Sequence, residues 1–312
     1  MHLKFAILAS LAILPFATYA YSQSPTGAAS EILDDVRIPD TDSKGNEINQ
    51  VSGLAWDNDE GLVYAVSDFG HIIHLKIGLA DNKLKTVDPI YFGPLRDVVG
   101  EETFTDAEDI VVLNGANGIK GDSRIAVVFE DGPSAAQFTP QGEFISQIDL
   151  PKPLDDRALY QGTNHRLESI AVDTGHGFLF APQVPLRDQD ESVHTVYEAD
   201  GKTWAFDAPR PSKTSTKAMQ MQSDGTLMLL EGFDPGGLLS VIGEGTHELR
   251  LRRLDIANCV APGKCPVTDY IPAEPNLMAD RYEGLTQFGD HLFLFATDEN
   301  SGSRLVLLRT TP

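Results

Sequence analysis

The sequence predicts an all-β protein: a single β-propeller of five blades, six as the fallback, with an N-terminal strand closing the last blade. Three observations lead there. Short runs rich in Val, Ile, Leu, Phe and Tyr, bounded by Gly, Asp, Asn and Pro, dominate the chain, and long helical periodicity is absent. A hairpin pattern recurs with a carboxylate near the same place. The runs also fall into groups of about four, as in sheets repeated around an axis.

Taken in order, Met1 to Lys4 form a charged start and Phe5 to Phe16 an apolar run, followed by small residues ending at Ala20. That pattern is a cleavable signal peptide over residues 1–20, which places the mature protein in the periplasm or outside the cell. Residues 21–30 are small and polar, a leader expected to lack order. The propeller then occupies 31–312. Its first group is SGLAWD, LVYAVSD, HIIHLKI and KTVDPIYFG. The second is AEDIVVL, RIAVVFE, AAQFTP and EFISQIDL, and the third is LESIAVD, GFLFAPQ, HTVYEAD and KTWAFDA. The fourth is KAMQMQS, TLMLLEG, ELRLRRLDI and VTDYIPA. The fifth, YEGLTQF, HLFLFATD and RLVLLRT, is one strand short, and EILDDVRIP at 31–39 supplies it, leaving no raw edge. Insertions at 190–215 and 236–275 leave room for a sixth blade, and a β-sandwich is the competing all-β architecture.

The recurring hairpin locates a candidate site. In each copy the first strand starts with a polar residue and the second ends with one. Fifteen positions separate Glu168 from Gln183 and Glu283 from Asp298. Antiparallel pairing sets the start of one strand beside the end of the other. Glu108, Glu168 and Glu283 should therefore share one end of the fold with Asp68, Glu130, Glu231 and Asp298. A ring of carboxylates requires a cation or protons, and oxygen donors at this density suit calcium. The competing reading is that these glutamates accept backbone N–H bonds and fix blade packing. Asp57, Asp173 and Asp224 fall at hairpin turns on the opposite end.

Arg166 and Arg281 each precede a channel glutamate by two residues, in R-x-E. Strand alternation would put each arginine on the face of its glutamate, as a clamp for phosphate or carboxylate or as a tether. His165 adjoins this rim as the candidate general acid or base. No H-E-x-x-H and no G-x-S-x-G occurs, which argues against zinc and serine hydrolases. Cys259 and Cys265, close together with Pro and Gly between them, read as a disulfide in an oxidising compartment. With 24 basic against 46 acidic residues, the formal charge is −22, which argues against nucleic-acid and anionic-membrane partners. No later run is apolar for long enough to span a bilayer. A soluble monomer acting on small molecules is expected.

SGLAWD with VYAVSD, DAEDIVVL, RLESIAVD with LFAP, LMLLEGFDP, and RYEGLTQF with LFATDEN occur in the order of the phytase-like family, also called esterase-like activity of phytase. The chain resembles that family from about residue 48 to 309. The resemblance implies a propeller, a secreted setting and an acidic, calcium-linked central site. It also implies hydrolysis of phosphate or carboxylic esters. The chain departs from the repeat at Ser52, at Gln183 and at Met219-Gln220, so the site is not symmetric. Two function classes stay open: a calcium-dependent hydrolase, with lactones as a variant substrate, and a non-catalytic propeller that calcium stabilises.

Overall fold

A computed structural model describes residues 28–97, 104–162, 165–209, 214–233, 248–259, 264–272, 282–300 and 302–311. The expected signal peptide and most of the expected leader lie outside these residues, as does Arg281. Among these described residues twenty strands form five antiparallel blades. Blade 1 is β2 (Val51–Asp57), β3 (Leu62–Ser67), β4 (His71–Ala80) and β5 (Lys83–Pro94). Blade 2 is β6 (Ala107–Leu113), β7 (Arg124–Phe129), β8 (Ser134–Phe138) and β9 (Phe144–Ile148). Blade 3 is β10 (Leu167–Asp173), β11 (Gly177–Pro182), β12 (Val193–Glu198) and β13 (Thr203–Asp207). Blade 4 is β14 (Thr214–Met221), β15 (Leu227–Phe233), β16 (Glu248–Leu254) and β17 (Val267–Pro272). Blade 5 is β18 (Tyr282–Gly289), β19 (Leu292–Thr297), β20 (Arg304–Thr310) and β1 (Ala28–Arg37).

The last blade closes as the sequence predicts. β1 runs antiparallel to β20, with Glu31 opposite Arg309 and Arg37 opposite Arg304. The start of β1 also pairs parallel with β17, Ala28 opposite Tyr270, which joins blades 4 and 5 at their outer edges. Both insertions that left room for a sixth blade contribute outer strands to blades 3 and 4.

Five apolar clusters fill the five gaps between neighbouring blades. Strand alternation explains why the middle strands are apolar almost without interruption. In β19, Leu294 and Ala296 pack towards blade 1 with Val51, Leu54 and Val63. Phe293 and Phe295, one residue out of phase, pack towards blade 4 with Met228 and Leu230. A middle strand buried on both faces has no polar side.

Backbone hydrogen bonds tie the blades together at one end of the ring. Gln50 N donates to Glu299 O and Asp68 N to Gln50 O; Asp106 N donates to Asp68 O and Glu130 N to Asp106 O. On the other side of blade 3, Gln183 N donates to Arg166 O and Thr216 N to Gln183 O. Between these two series the link is a side chain, Arg166 N donating to Glu130 Oε1 at 2.8 Å. The belt therefore runs past the polar residues that the hairpin repeat singled out.

Candidate metal centre

Every innermost strand carries a β-bulge at the same level. The register slips between Val51 and Gly53, Ala107 and Asp109, Leu167 and Ser169, Thr216 and Ala218, and Tyr282 and Gly284. The extra residue in each strand is Ser52, Glu108, Glu168, Lys217 or Glu283. A bulged residue leaves the ladder, and its side chain is re-aimed. The three predicted glutamates thus occupy equivalent positions in three blades.

The fourth blade holds the feature that sequence reading missed. Its bulged residue is Lys217, two positions before the Met219-Gln220 pair that stands in place of E-G-L in the sequence repeat. Lys217 Nζ donates to Glu168 Oε1 at 2.8 Å and to Glu283 Oε1 at 2.6 Å. Burial alone would lower the pKa of this amine, but the two carboxylates outweigh burial and hold it well above the ordinary lysine value. Lys217 is therefore an ammonium. Burial is also the main influence on Glu168, whose pKa stays raised despite Lys217 and the 2.9 Å bond from Gln183 Nε2.

The second strands end next to these bulges. Ser67, Phe129, Pro182, Glu231 and Thr297 face the residues just before them, so Asp68, Glu130, Gln183, Gly232 and Asp298 come next. Glu231 is one residue early, and one residue reverses the face of a strand. It is buried against Arg252, whose Nη1 lies 2.8 Å from Oε2, with His194 Nδ1 3.4 Å from Oε1. The equivalent channel position in blade 4 is Gly232, so the structure groups Glu231 with this ion pair and not with the ring.

On the blade 2 side, Asp106, Glu108 and Glu130 bring carboxylate oxygens within 4.8 Å of one another. Asp106 was not singled out in the sequence, although it stands in D-x-E two residues before Glu108, the frame that marked Arg166 and Arg281. It adopts φ 61°, a left-handed conformation unfavourable for a residue other than glycine. Burial pushes Glu130 up to about 7, helped by Glu168 and Asp106 and opposed by the Arg166 N–H. Burial, then Glu168, Glu283 and Asp68, raise Glu108 well above the usual range. Asp106 is raised as well, by burial first and then by Asp131. Asp68, which accepts from Ser52 Oγ, rises to about 6, mainly through burial. Asp298 is buried at the end of β19.

Of the rim residues, Arg166 and His165 are occupied. The bulge at Glu168 breaks strand alternation, and the Arg166 side chain turns to blade 2. Its Nη1 donates to Glu130 O at 3.3 Å, its Nε to Gly162 O at 3.4 Å, and Asp131 lies 3.7 Å away. His165 is exposed, and its Nδ1 meets Gln183 Oε1. Gln183 thus connects His165 to Glu168, and Glu168 to Lys217.

One layer deeper, the residues after the bulges are Gly53, Asp109, Ser169, Ala218 and Gly284. All but one are small, and the strands crowd: a Cβ on residue 53 would stand 2.8 Å from Asp109 Cα. The fully buried Asp109 carboxylate crosses this space. It accepts from Ile110 N at 2.9 Å, Ile170 N at 3.1 Å and Met219 N at 3.3 Å, linking blades 2, 3 and 4.

The family described as Phytase-like, esterase-like activity of phytase, matches residues 46–301, most of the chain. The chain belongs to the Phytase-like family. No curated protein sequence matches this family member. Among solved structures it resembles the PQQ-bound aldose sugar dehydrogenase of Streptomyces coelicolor at 10% identity and TM-score 0.48, covering 92% of this chain and 99% of that one. It also resembles a Bacteroides thetaiotaomicron protein of unknown function at 13% identity and TM-score 0.45, covering 90% and 75%. A chain of a nidogen/laminin complex is similar at 10% identity and TM-score 0.43, covering 80% and 72%. Likenesses this distant carry no argument about the chemistry of this phytase-like chain.

Proposed function

We propose that this chain is an exported, calcium-dependent hydrolase of phosphate or carboxylic esters, working as a monomer. Its ion would be held by Asp106, Glu108 and Glu130. One observation carries the reading: these three carboxylates converge within 4.8 Å, and among the described residues no ion pair joins them to a lysine or arginine side chain. Three hard oxygen donors whose like charges and burial raise their pKa values match what calcium binds. Asp68, Asp298 and the glutamates of blades 3 and 5 stand around them as further acidic groups. The family supports the ester class. Export is supported by the signal-peptide pattern and by the Cys259–Cys265 disulfide.

The chain's own residues have definite roles in this reading. Bound calcium would polarise an ester oxygen and offset the charge it gains. The Arg166 backbone N–H fixes the Glu130 carboxylate. Gln183 gives its N–H to Glu168, so its Oε1 faces His165 and takes the Nδ1 proton. That leaves His165 Nε2 as the acceptor, able to take a proton from water or return one to a leaving group. Arg281 would serve as the anion clamp, since Arg166 is committed to blade 2.

The commitment of Arg166 and Lys217 to protein oxygens favours the second reading, a calcium-stabilised propeller without turnover. Hydrolysis of p-nitrophenyl phosphate, p-nitrophenyl acetate and a lactone, measured with calcium and with chelator, separates the two. The hydrolase reading expects turnover that chelation abolishes and that Glu108→Gln lowers at least tenfold. No turnover on any substrate favours the binder. Turnover that survives chelation defeats the proposed centre.

A further inference from the structure

We infer that Lys217 is a built-in cation: its ammonium fills a second metal seat between Glu168 and Glu283, and removing it opens that seat to calcium. The bulge register supports this first. Lys217 occupies in blade 4 the position that Glu108, Glu168 and Glu283 occupy in three other blades. A glutamate there would extend the acidic ring; a lysine inverts the charge at that one point.

The geometry is the second support. Nζ reaches one oxygen on each of two glutamates from the blades on either side, at 2.8 and 2.6 Å. Those glutamates are 2% and 14% exposed, so neither can rely on water for charge balance. Gln183 adds a second donor to Glu168. Glu168 and Glu283 are therefore neutralised by the chain itself, whereas among the described residues no lysine or arginine side chain pairs with Asp106, Glu108 or Glu130, and Glu130 accepts a backbone N–H from Arg166. The ring thus divides into a half neutralised by lysine and a half left for an ion. Lys217 sets how many ions the channel holds, and by repulsion it confines any bound ion to the blade 2 side.

Calcium stoichiometry measured by isothermal titration, together with Tm in chelator and in calcium, tests this. Lys217→Met is expected to bind one calcium more than the parent protein. Its Tm in chelator should fall by several degrees, and calcium should restore it. Lys217→Arg keeps the charge and should gain no ion. An unchanged stoichiometry with an unchanged Tm in chelator overturns the inference. The inference rests on the proposed function only for the first ion, and the outcomes separate the two. A parent that binds none and a Met variant that binds one would uphold this seat and defeat the blade 2 centre. A parent and variant that each bind one would do the reverse. Should Lys217→Met fold in neither buffer, Glu168→Gln/Lys217→Met decides. That double variant restores the parent's ring charge, so folding in chelator upholds the inference, and failure to fold shows that shape rather than charge is needed.

Discussion

Removing the Asp109 carboxylate is the sharpest test of how the channel is held together. Asp109→Ala leaves Ile170 N and Met219 N without their acceptor, in a layer where Gly53, Ala218 and Gly284 carry no side-chain acceptor. A buried donor left unpaired costs about 1–3 kcal/mol, so the two inter-blade donors together cost about 2–6 kcal/mol. For a domain of this size each kcal/mol moves Tm by about 2–4 °C, which puts the mid-range loss near 10 °C. Asp109→Asn keeps one acceptor oxygen and should lose less. The pH dependence carries a sign. Burial holds Asp109 well above its ordinary value of 3.8, with the three backbone N–H groups opposing. The native state therefore binds the proton more tightly than the unfolded state. The resulting stability is full below 3.8 and is lost as pH rises towards the native pKa. Asp109→Asn lacks this contribution, so its deficit should shrink as pH rises through that window. Scanning calorimetry in chelator at several pH values measures both effects. If Asp109→Ala stays within about 0.5 kcal/mol of the parent protein, the carboxylate does not link the blades and the reasoning fails.

Three further outcomes follow from the structure. On the proposed centre, calcium should raise the Tm of the parent protein and Asp106→Asn/Glu108→Gln should abolish that rise; an equal rise in the variant would move the centre elsewhere. Arg252→Met leaves the Glu231 charge buried beside a neutral His194, whose pKa burial lowers, and should cost about 3–5 kcal/mol in urea unfolding. Replacing the whole pair by Arg252→Met/Glu231→Leu should recover most of that loss, and no recovery would contradict the charge argument. Cys259→Ser/Cys265→Ser opens a bridge between residues six apart and should cost about 2 kcal/mol, read from the shift in the urea midpoint.

The blade order and the closure were legible in the sequence because each depends on local pattern. Middle strands such as LFLFAT are apolar on both faces because both are covered, and the missing fifth-blade strand had one evident source at the N-terminus. The three glutamates were legible because each opens a strand–turn–strand copy, with the same spacing in blades 3 and 5 and a longer turn in blade 2. Lys217 was not. Its strand repeats the geometry without the E-G-L letters, and a similarity that follows letters settles on Met219-Gln220 two positions later. Glu231 was misplaced for a related reason: distance along a hairpin does not reveal which face a residue takes once a bulge has shifted the register by one.

The sequence by itself determined that four-stranded blades repeat around an axis, which strand closes the last of them, and that one end of the ring is acidic. Those follow from hydrophobic period and turn spacing, which act over a few residues. The structure decided five blades over six. Only the tertiary structure decided how the acids share their charge. Lys217 is 49 residues from Glu168 and 66 from Glu283, and Asp109 is 110 from Met219. Nothing local ties such residues together. Closing five blades around an axis brings them into contact, and burial there makes each uncompensated charge costly enough to need a partner.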